Sequence, residues 1–496
     1  MARTRIGIAH AVLIAAIAAT FITASPAVAA TTFKTVDLGS LGGAGSLATA
    51  MNDSGHVVGW ATRADGDIHA FSWTRAGGMV DLGTFGGSTS VAVDVNASGT
   101  VVGYAQKTDG ATHAFSWTGA GGMVDLGTLG GTSSSAAAVN DNGVVVGRAD
   151  VAGDSGSHAF TWKPGDAAMT DLGTFGGTSS SASAVNASGQ VVGSATASTG
   201  LLHAFSWTPA GGMVDVAPAN PYSVASGSNS NGQVVGFAYS PGFGQFHAFS
   251  WTAGAGAVDL GTFGGRNSSA AAVNDAGEVV GWAHQADNSM HAFSWTSAHG
   301  MSDVGTLGGT YSAALAVNKT GQIVGYAATS ASQTHAFTSD PNGPGLIDLG
   351  TLGGTYSQAA DVNAAGQVAA LAVATDGSMH ATLFTPPPPY DRVKDVMDGL
   401  PSTPKSFTDA KARLAEALNP ALWNSTGTAL TYPDGSQFYD NMKQAIDKLG
   451  KVNSPESVKA ASELWAVAEQ LAGTSVDHSR SDAFERLKQA WRAAAV

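Results

Sequence analysis

The stretch His69-Ala70-Phe71-Ser72-Trp73 recurs along this chain with little change. Its histidine returns at His113, His158, His203, His247, His291 and His335, and a worn copy, His380-Ala381-Thr382, closes the series. The copies are 44 or 45 residues apart. A fixed period of this size marks stacked supersecondary units, such as propeller blades or solenoid coils.

Residues 81–125 show what one period contains. Asp81-Leu82-Gly83-Thr84-Phe85-Gly86-Gly87 reads as a strand end running into a glycine-rich loop, and Val91 to Val95 as a strand of small residues. Asn96-Ala97-Ser98-Gly99 has the chemistry of a tight turn. Val101-Val102-Gly103-Tyr104 is rich in β-branched and aromatic residues and predicts a second strand. After a variable loop, His113 to Trp117 predict a third strand, and Met123 to Asp125 a fourth. Strand alternation puts His113, Phe115 and Trp117 on one face. A hairpin closed around Gly119 to Gly121 adds Met123 and Asp125, so Phe, Trp and Met are expected to bury against the neighbouring unit.

The ends of the array choose between ring and solenoid. The Asp-Leu-Gly strand or its variant occurs at Asp37, Asp81, Asp125, Asp171, Asp215, Asp259, Asp303 and Asp348. The last His strand runs into Pro386 without a fourth strand, whereas Phe33 to Leu38 is a fourth strand without the other three. Pairing these two leaves no open edge. The expected fold is therefore all-β: an eight-bladed β-propeller over residues 31–385, each blade a four-stranded repeat of about 44 residues.

The motifs Asp-Leu-Gly-Thr-Leu-Gly-Gly, Val-Asn-x-x-Gly-x-Val-Val-Gly and His-Ala-Phe-x-Trp resemble those of the extracellular HAF-repeat family of bacterial proteins. The resemblance covers about residues 33–386 and implies a secreted or surface protein without an established activity. Departures fall at Val216 to Pro221, which lacks Gly-Gly, at Ser339 in place of Trp, and at Thr382 in place of Phe.

The flanks read differently. Residues 1–30 resemble a signal peptide, with Arg3 and Arg5, an apolar run from Ile6 to Ile22, and cleavage near Ala29/Ala30. The expected location is extracellular, with no membrane span in the mature chain. There is no cysteine, hence no disulfide or thiolate metal site. Pro386 to Pro389 predict a stiff linker over 386–390. Residues 391–496 predict an α-helical bundle domain. Its apolar stripes are Phe407/Leu414/Leu418, Phe438/Met442/Ile446/Leu449, Val458/Ala461/Leu464/Trp465/Ala468/Leu471 and Phe484/Leu487/Trp491. Ser454-Pro455 is a helix start signal. Residues 31–390 carry 8 basic and 23 acidic side chains, a surface that repels phosphate backbones and argues against nucleic acid as a partner.

The eight repeated His and Asp residues are read as structural partners, the carboxylate satisfying an imidazole in the same blade. No metal or other cofactor is assigned, and no catalytic residue. The Gly-Gly segments lack a following Lys and are read as turns. Asn96, Asn186 and Asn318 open glycosylation triplets that coincide with the turn each blade needs. Function is sought where blades differ. The fifth replaces Gly-Gly by Asn220-Pro221-Tyr222 and brings Tyr239, Phe243 and Phe246 to its variable loop, while Tyr311 and Tyr356 open the inner strands of two later blades. These six aromatics are the candidate ligand-binding residues. The leading expectation is a non-catalytic binding or scaffold protein for an extracellular glycan or protein. The alternative is a propeller enzyme, a hydrolase or lyase of extracellular polysaccharide.

Overall fold

The computed structural model describes residues 33–473, apart from 241–243, 341–344, 404, 420–421, 423–435 and 453. The signal-like segment, Phe243 and the stripe Phe484/Leu487/Trp491 lie outside the described residues.

The chain is a β-propeller of four-stranded antiparallel sheets, one for each repeat. In the second repeat the strands are Gly86–Val95, Val101–Lys107, Thr112–Thr118 and Gly122–Asp125. Gly103 stands opposite Phe115 and Val101 opposite Trp117; across the next ladder Phe115 faces Asp125 and Trp117 faces Met123. His113, Phe115, Trp117, Met123 and Asp125 thus share a face, as alternation requires. The first strand is longer than the sequence suggests. Gly86 and Gly87 belong to it, with a break in register before Ser90. A Cβ on Gly87 would stand 2.8 Å from the Lys107 carbonyl oxygen, so the close approach of the second strand demands glycine there.

Each sheet packs on the one before it. Phe115 is fully buried against Val101 and Ala105 of its own repeat and Val58 and Ala70 of the preceding one. Burying such a ring contributes about 1.5–3 kcal/mol. Trp and Met pack on the same cluster, less completely than Phe: Trp117 and Met123 are partly buried, whereas Trp73 and Met169 of other repeats are buried. Trp117 and Met123 stand opposite each other across the outer ladder, on the face that packs on the preceding repeat.

Lys34–Asp37 pairs antiparallel with Met379–Thr385, Lys34 opposite Thr385 and Asp37 opposite Thr382. The first strand of each repeat contacts that of the next, and that of the last repeat contacts that of the first. The asparagine of every Val-Asn-x-x-Gly turn, or its Met-Asn and Ser-Asn counterparts in the first and fifth repeats, reinforces this order. Asn96 Oδ1 accepts the N–H of Thr100 within its own turn, and its Nδ2 donates to the carbonyl of Asn140 at 3.0 Å. The same side-chain bond runs from Asn52 to Asn96, then from Asn140 through Asn186, Asn229, Asn274, Asn318 and Asn363, and from Asn363 back to Asn52. The amides of Asn96, Asn186 and Asn318 are therefore buried and engaged rather than presented as glycosylation acceptors.

Two departures from the repeat are compensated locally. The second-strand glycine opposite each Phe leaves no room for a Cβ: on Gly103 it would lie 2.0 Å from the Val91 carbonyl oxygen and 3.0 Å from the Phe115 ring. The last repeat has Ala370 at this place, and its partner across the ladder is Thr382 rather than Phe. In the seventh repeat Ser339 replaces Trp, and its Oγ accepts the N–H of Ile323, the larger residue standing where other repeats carry Val.

Among the described residues four helices follow: α1 (Pro389–Gly399), α2 (Lys405–Ala417), α3 (Ser436–Gly450) and α4 (Pro455–Gly473). The first begins inside the segment expected to be linker. Phe407, Leu414, Phe438, Met442, Ile446, Leu449, Leu464 and Leu471 share one buried cluster. Val458 does not join it and is 42% exposed. Ser454 caps α4, its Oγ accepting the N–H of Ser457. No described helix is long and apolar enough to cross a membrane.

Candidate functional site

One end of the sheets carries both the Gly-Gly segments and the variable loops, because Gly86 pairs with Lys107 at the mouth of the second repeat's loop. The candidate aromatics gather at this end, in registers set by a buried serine. Ser223, Ser312 and Ser357 each accept, through Oγ, the N–H of the alanine in the preceding repeat's His-Ala at 2.8 Å. Tyr222, Tyr311 and Tyr356 are the residues just before those serines, so they occupy one equivalent place in the fifth, seventh and eighth repeats. The sixth has Asn267 there, and its Oδ1 accepts the N–H of Phe246 at 3.2 Å.

A second place, the residue after the second-strand glycine of Val-Val-Gly or Ile-Val-Gly, holds Phe237, Trp282 and Tyr326 in the fifth, sixth and seventh repeats. These rings join the first set. Tyr222 and Phe237 have centroids 6.1 Å apart, Phe237 and Phe246 5.3 Å, Phe246 and Trp282 5.9 Å at right angles, and Trp282 and His284 5.2 Å. A continuous row thus crosses from the fifth repeat into the sixth. Tyr222 stands at its outer end, 43% exposed, while the inner rings are half-buried. The spacings suit tilted and edge-to-face contacts between aromatic faces and edges.

Farther along, Tyr311 packs edge-on to Tyr326 at 6.4 Å. Burial, then the Tyr311 phenol, pushes the Tyr326 hydroxyl above its ordinary pKa; Tyr356 is raised by burial and then by both neighbours. The three phenols are therefore close together, and those of Tyr326 and Tyr356 hold their protons more firmly than a free phenol. Tyr311 hydrogen-bonds Thr334, and Tyr356 donates to Gln358 Oε1 at 2.6 Å.

Of the six residues expected from sequence, Tyr222 and Phe246 join the first row and Tyr311 and Tyr356 the second cluster. Tyr239 is held differently: its N–H donates to the Tyr222 carbonyl and its own carbonyl accepts from Asn220 Nδ2, both at 2.7 Å. These bonds replace the missing Gly-Gly register of the fifth repeat. Phe243 lies outside the described residues. Phe237, Trp282, His284 and Tyr326 escape a search for broken motifs, because they occupy an ordinary strand position. That position reads Trp60, Tyr104, Arg148, Ser194, Phe237, Trp282, Tyr326 and Leu371 across the repeats, a comparison that singles out Phe237, Trp282 and Tyr326 but not His284, two residues farther along its strand.

The repeated histidines and aspartates pair one to one. Nδ1 of His69, His113, His158, His203, His247, His291, His335 and His380 lies 2.6–2.9 Å from the carboxylate of Asp81, Asp125, Asp171, Asp215, Asp259, Asp303, Asp348 and Asp37 respectively. A carboxylate only accepts, so Nδ1 carries the proton. Asp125 also accepts the N–H of Gly127, which ties the third strand to the turn beyond the fourth. Among the described residues no cluster of three or more His, Asp or Glu is arranged to hold a metal ion.

A buried Ser–His contact, His56 Nε2 to Ser72 Oγ at 2.7 Å, has the look of a nucleophile and its base. Its counterparts identify it as structural. Gln190 holds Ser206, Gln233 holds Ser250 and Gln322 holds Thr338 at the same place. Burial also holds the His56 imidazole below its ordinary pKa, so it resists protonation.

Two inner-strand carboxylates break the pattern where most repeats have alanine. Asp94 accepts the N–H groups of Val95 and Val139, each at 2.8 Å, and Asp361 those of Val362 at 2.8 Å and Met51 at 2.9 Å. Each therefore clamps its own sheet to the next. Burial raises both, Asp361 to about 7. Both side chains keep some solvent access despite the protein around them.

No family model matches the sequence, and no curated protein matches it. Solved structures give partial likenesses. TolB from Acinetobacter baumannii is 13% identical with a TM-score of 0.32, over 41% of this chain and 51% of TolB, so the match spans about half of TolB's length. BP39L lectin from Burkholderia pseudomallei is 13% identical with a TM-score of 0.34, over 62% of this chain and 95% of the lectin. Aleuria aurantia lectin, in complex with Fucα1-6GlcNAc, is 13% identical with a TM-score of 0.26, over 55% of this chain and 94% of the lectin.

Proposed function

We propose that this chain is a secreted, non-catalytic binding protein: an eight-bladed propeller that holds a glycan on the aromatic end of its fifth to eighth blades and carries a helical C-terminal bundle. The observation that carries the reading is the row Tyr222–Phe237–Phe246–Trp282–His284, which has no counterpart in the third and fourth repeats, where Arg148 and Ser194 occupy the strand position. Aromatic faces beside amide and hydroxyl groups suit sugar rings, which present C–H faces and hydroxyl edges. The count of eight is supported by the asparagine circle, and secretion by the N-terminal pattern of the sequence. The hydrolase or lyase reading is the weaker one. The departures of the fifth to eighth repeats at this end are chiefly aromatic, and Asp94 and Asp361 are occupied in holding backbone N–H groups.

A glycan array probed with the full chain tests the proposal. Tyr222→Ala, an exposed substitution, combined with Trp282→Ala is expected to weaken the best hit about tenfold or more, on the scale of one or two lost stacking contacts. Unchanged affinity in a folded double variant would reject the site, and turnover of a bound glycan would favour the enzyme.

A further inference from the structure

The propeller need not read its ligand one sugar at a time. The aromatic positions recur at two fixed registers: Tyr222, Tyr311 and Tyr356 just before the buried serine in the fifth, seventh and eighth repeats, and Phe237, Trp282 and Tyr326 after the second-strand glycine in the fifth, sixth and seventh. The serine-to-backbone bonds fix the first of these, so its rings recur with the step of the repeat itself. The fifth and sixth repeats form one continuous row, and the seventh and eighth a phenol cluster. A ligand that meets both must be long and must repeat.

Its charge is constrained as well. The variable loops of the sixth and eighth repeats each present a carboxylate pinned in its ionised form. Asp287 accepts the Ser289 hydroxyl and Asp376 the Ser378 hydroxyl, each at 2.6 Å, and both carboxyls are held below their ordinary pKa. With 23 acidic against 8 basic side chains over residues 31–390, the repeat region as a whole disfavours acidic polymers.

Resting on the glycan reading above, we infer that the ligand is an uncharged polysaccharide chain lying along the fifth to eighth repeats, so that the aromatic row and the phenol cluster are two parts of one extended site. Titration calorimetry with neutral cello-, laminari- and xylo-oligosaccharides of increasing length tests this. Affinity is expected to rise about tenfold or more from dimer to hexamer as the second cluster engages, the gain that linking two weak contacts provides. Tyr311→Ala with Tyr356→Ala should abolish that gain, so that the hexamer binds no more tightly than the dimer, whereas Thr89→Ala, at the equivalent place in the second repeat, should leave the length dependence intact. A monosaccharide bound as tightly as the hexamer would overturn the chain reading while leaving glycan binding in place. Preference for an acidic polysaccharide would overturn the charge argument. Failure of every glycan, neutral or acidic, would reject the binding proposal itself and this inference with it.

Discussion

His380 and Asp37 are 343 residues apart in sequence, yet the Nδ1 of one lies 2.8 Å from the carboxylate of the other. The same bond joins third and fourth strands in every other repeat at a separation of 12 or 13 residues. The chain thus builds its last sheet from both ends of the array.

Removing residues 31–40 deletes that strand. It should expose the edge of Met379–Thr385 and cost several kcal/mol of a total margin of about 5–15 kcal/mol. Calorimetry of the truncated chain should show a clearly lower midpoint and, on warming, association through the open edge. A midpoint equal to that of the intact chain would mean the strand is dispensable.

The asparagine circle should be fragile at any member. Asn96→Ala removes the acceptor for the Thr100 N–H and the donor to Asn140, and leaves buried groups unpaired. Each such group costs about 1–3 kcal/mol. Asn96→Asp keeps the turn acceptor but sets a buried carboxylate oxygen against the Asn140 carbonyl, so urea unfolding should find it no more stable than the alanine variant near neutral pH.

Ala370 and Thr382 should behave as a coupled pair. Thr382→Phe alone forces a ring against the Cβ of Ala370 and should destabilise by about 1–3 kcal/mol, the usual cost of overpacking. Adding Ala370→Gly restores the Gly–Phe pairing of the other repeats and should recover most of the loss. A double-mutant cycle in urea measures the coupling directly, and additive effects would show that the two residues do not share the space.

Asp361 makes the seam between the last repeat and the first sensitive to pH. Its carboxyl is raised to about 7 by burial, above the 3.8 of an unfolded chain. Between these values the folded protein holds a proton that the unfolded chain has released, so this group's contribution to stability falls as pH rises. Above about 7 the full penalty is present and constant. Asp361→Ala, the residue most repeats carry, abolishes the term. The midpoint of the parent relative to the variant should therefore decline by a few degrees from about pH 5 to about pH 8. A constant difference across that range would show that the carboxyl titrates normally.

The architecture was legible in the sequence because each repeat states it again. Strand alternation, turn chemistry and spacing recur in every copy, and a strand lacking a partner at one end of the array matches the gap at the other. The helical stripes that fall in described residues were legible for the same reason of period, though Val458, placed on a stripe by spacing, stands in solvent while Ala460 and Ala461 beside it join the cluster.

The circle of asparagines was not legible. Val-Asn-x-x-Gly reads as a local turn, and only the packing of one sheet beside the next brings Asn96 Nδ2 to the Asn140 carbonyl. The site was half legible. Tyr222, Tyr311 and Tyr356 stand out as departures from the repeat, whereas Phe237 and Trp282 look like ordinary strand residues until sheet packing lays their rings beside Phe246. Sequence by itself determined which strands pair and in what order, since those contacts follow from short-range pattern repeated many times. Which side chains meet between repeats was decided by the tertiary structure, because contacts about 44 residues apart depend on the angle and distance at which whole sheets pack.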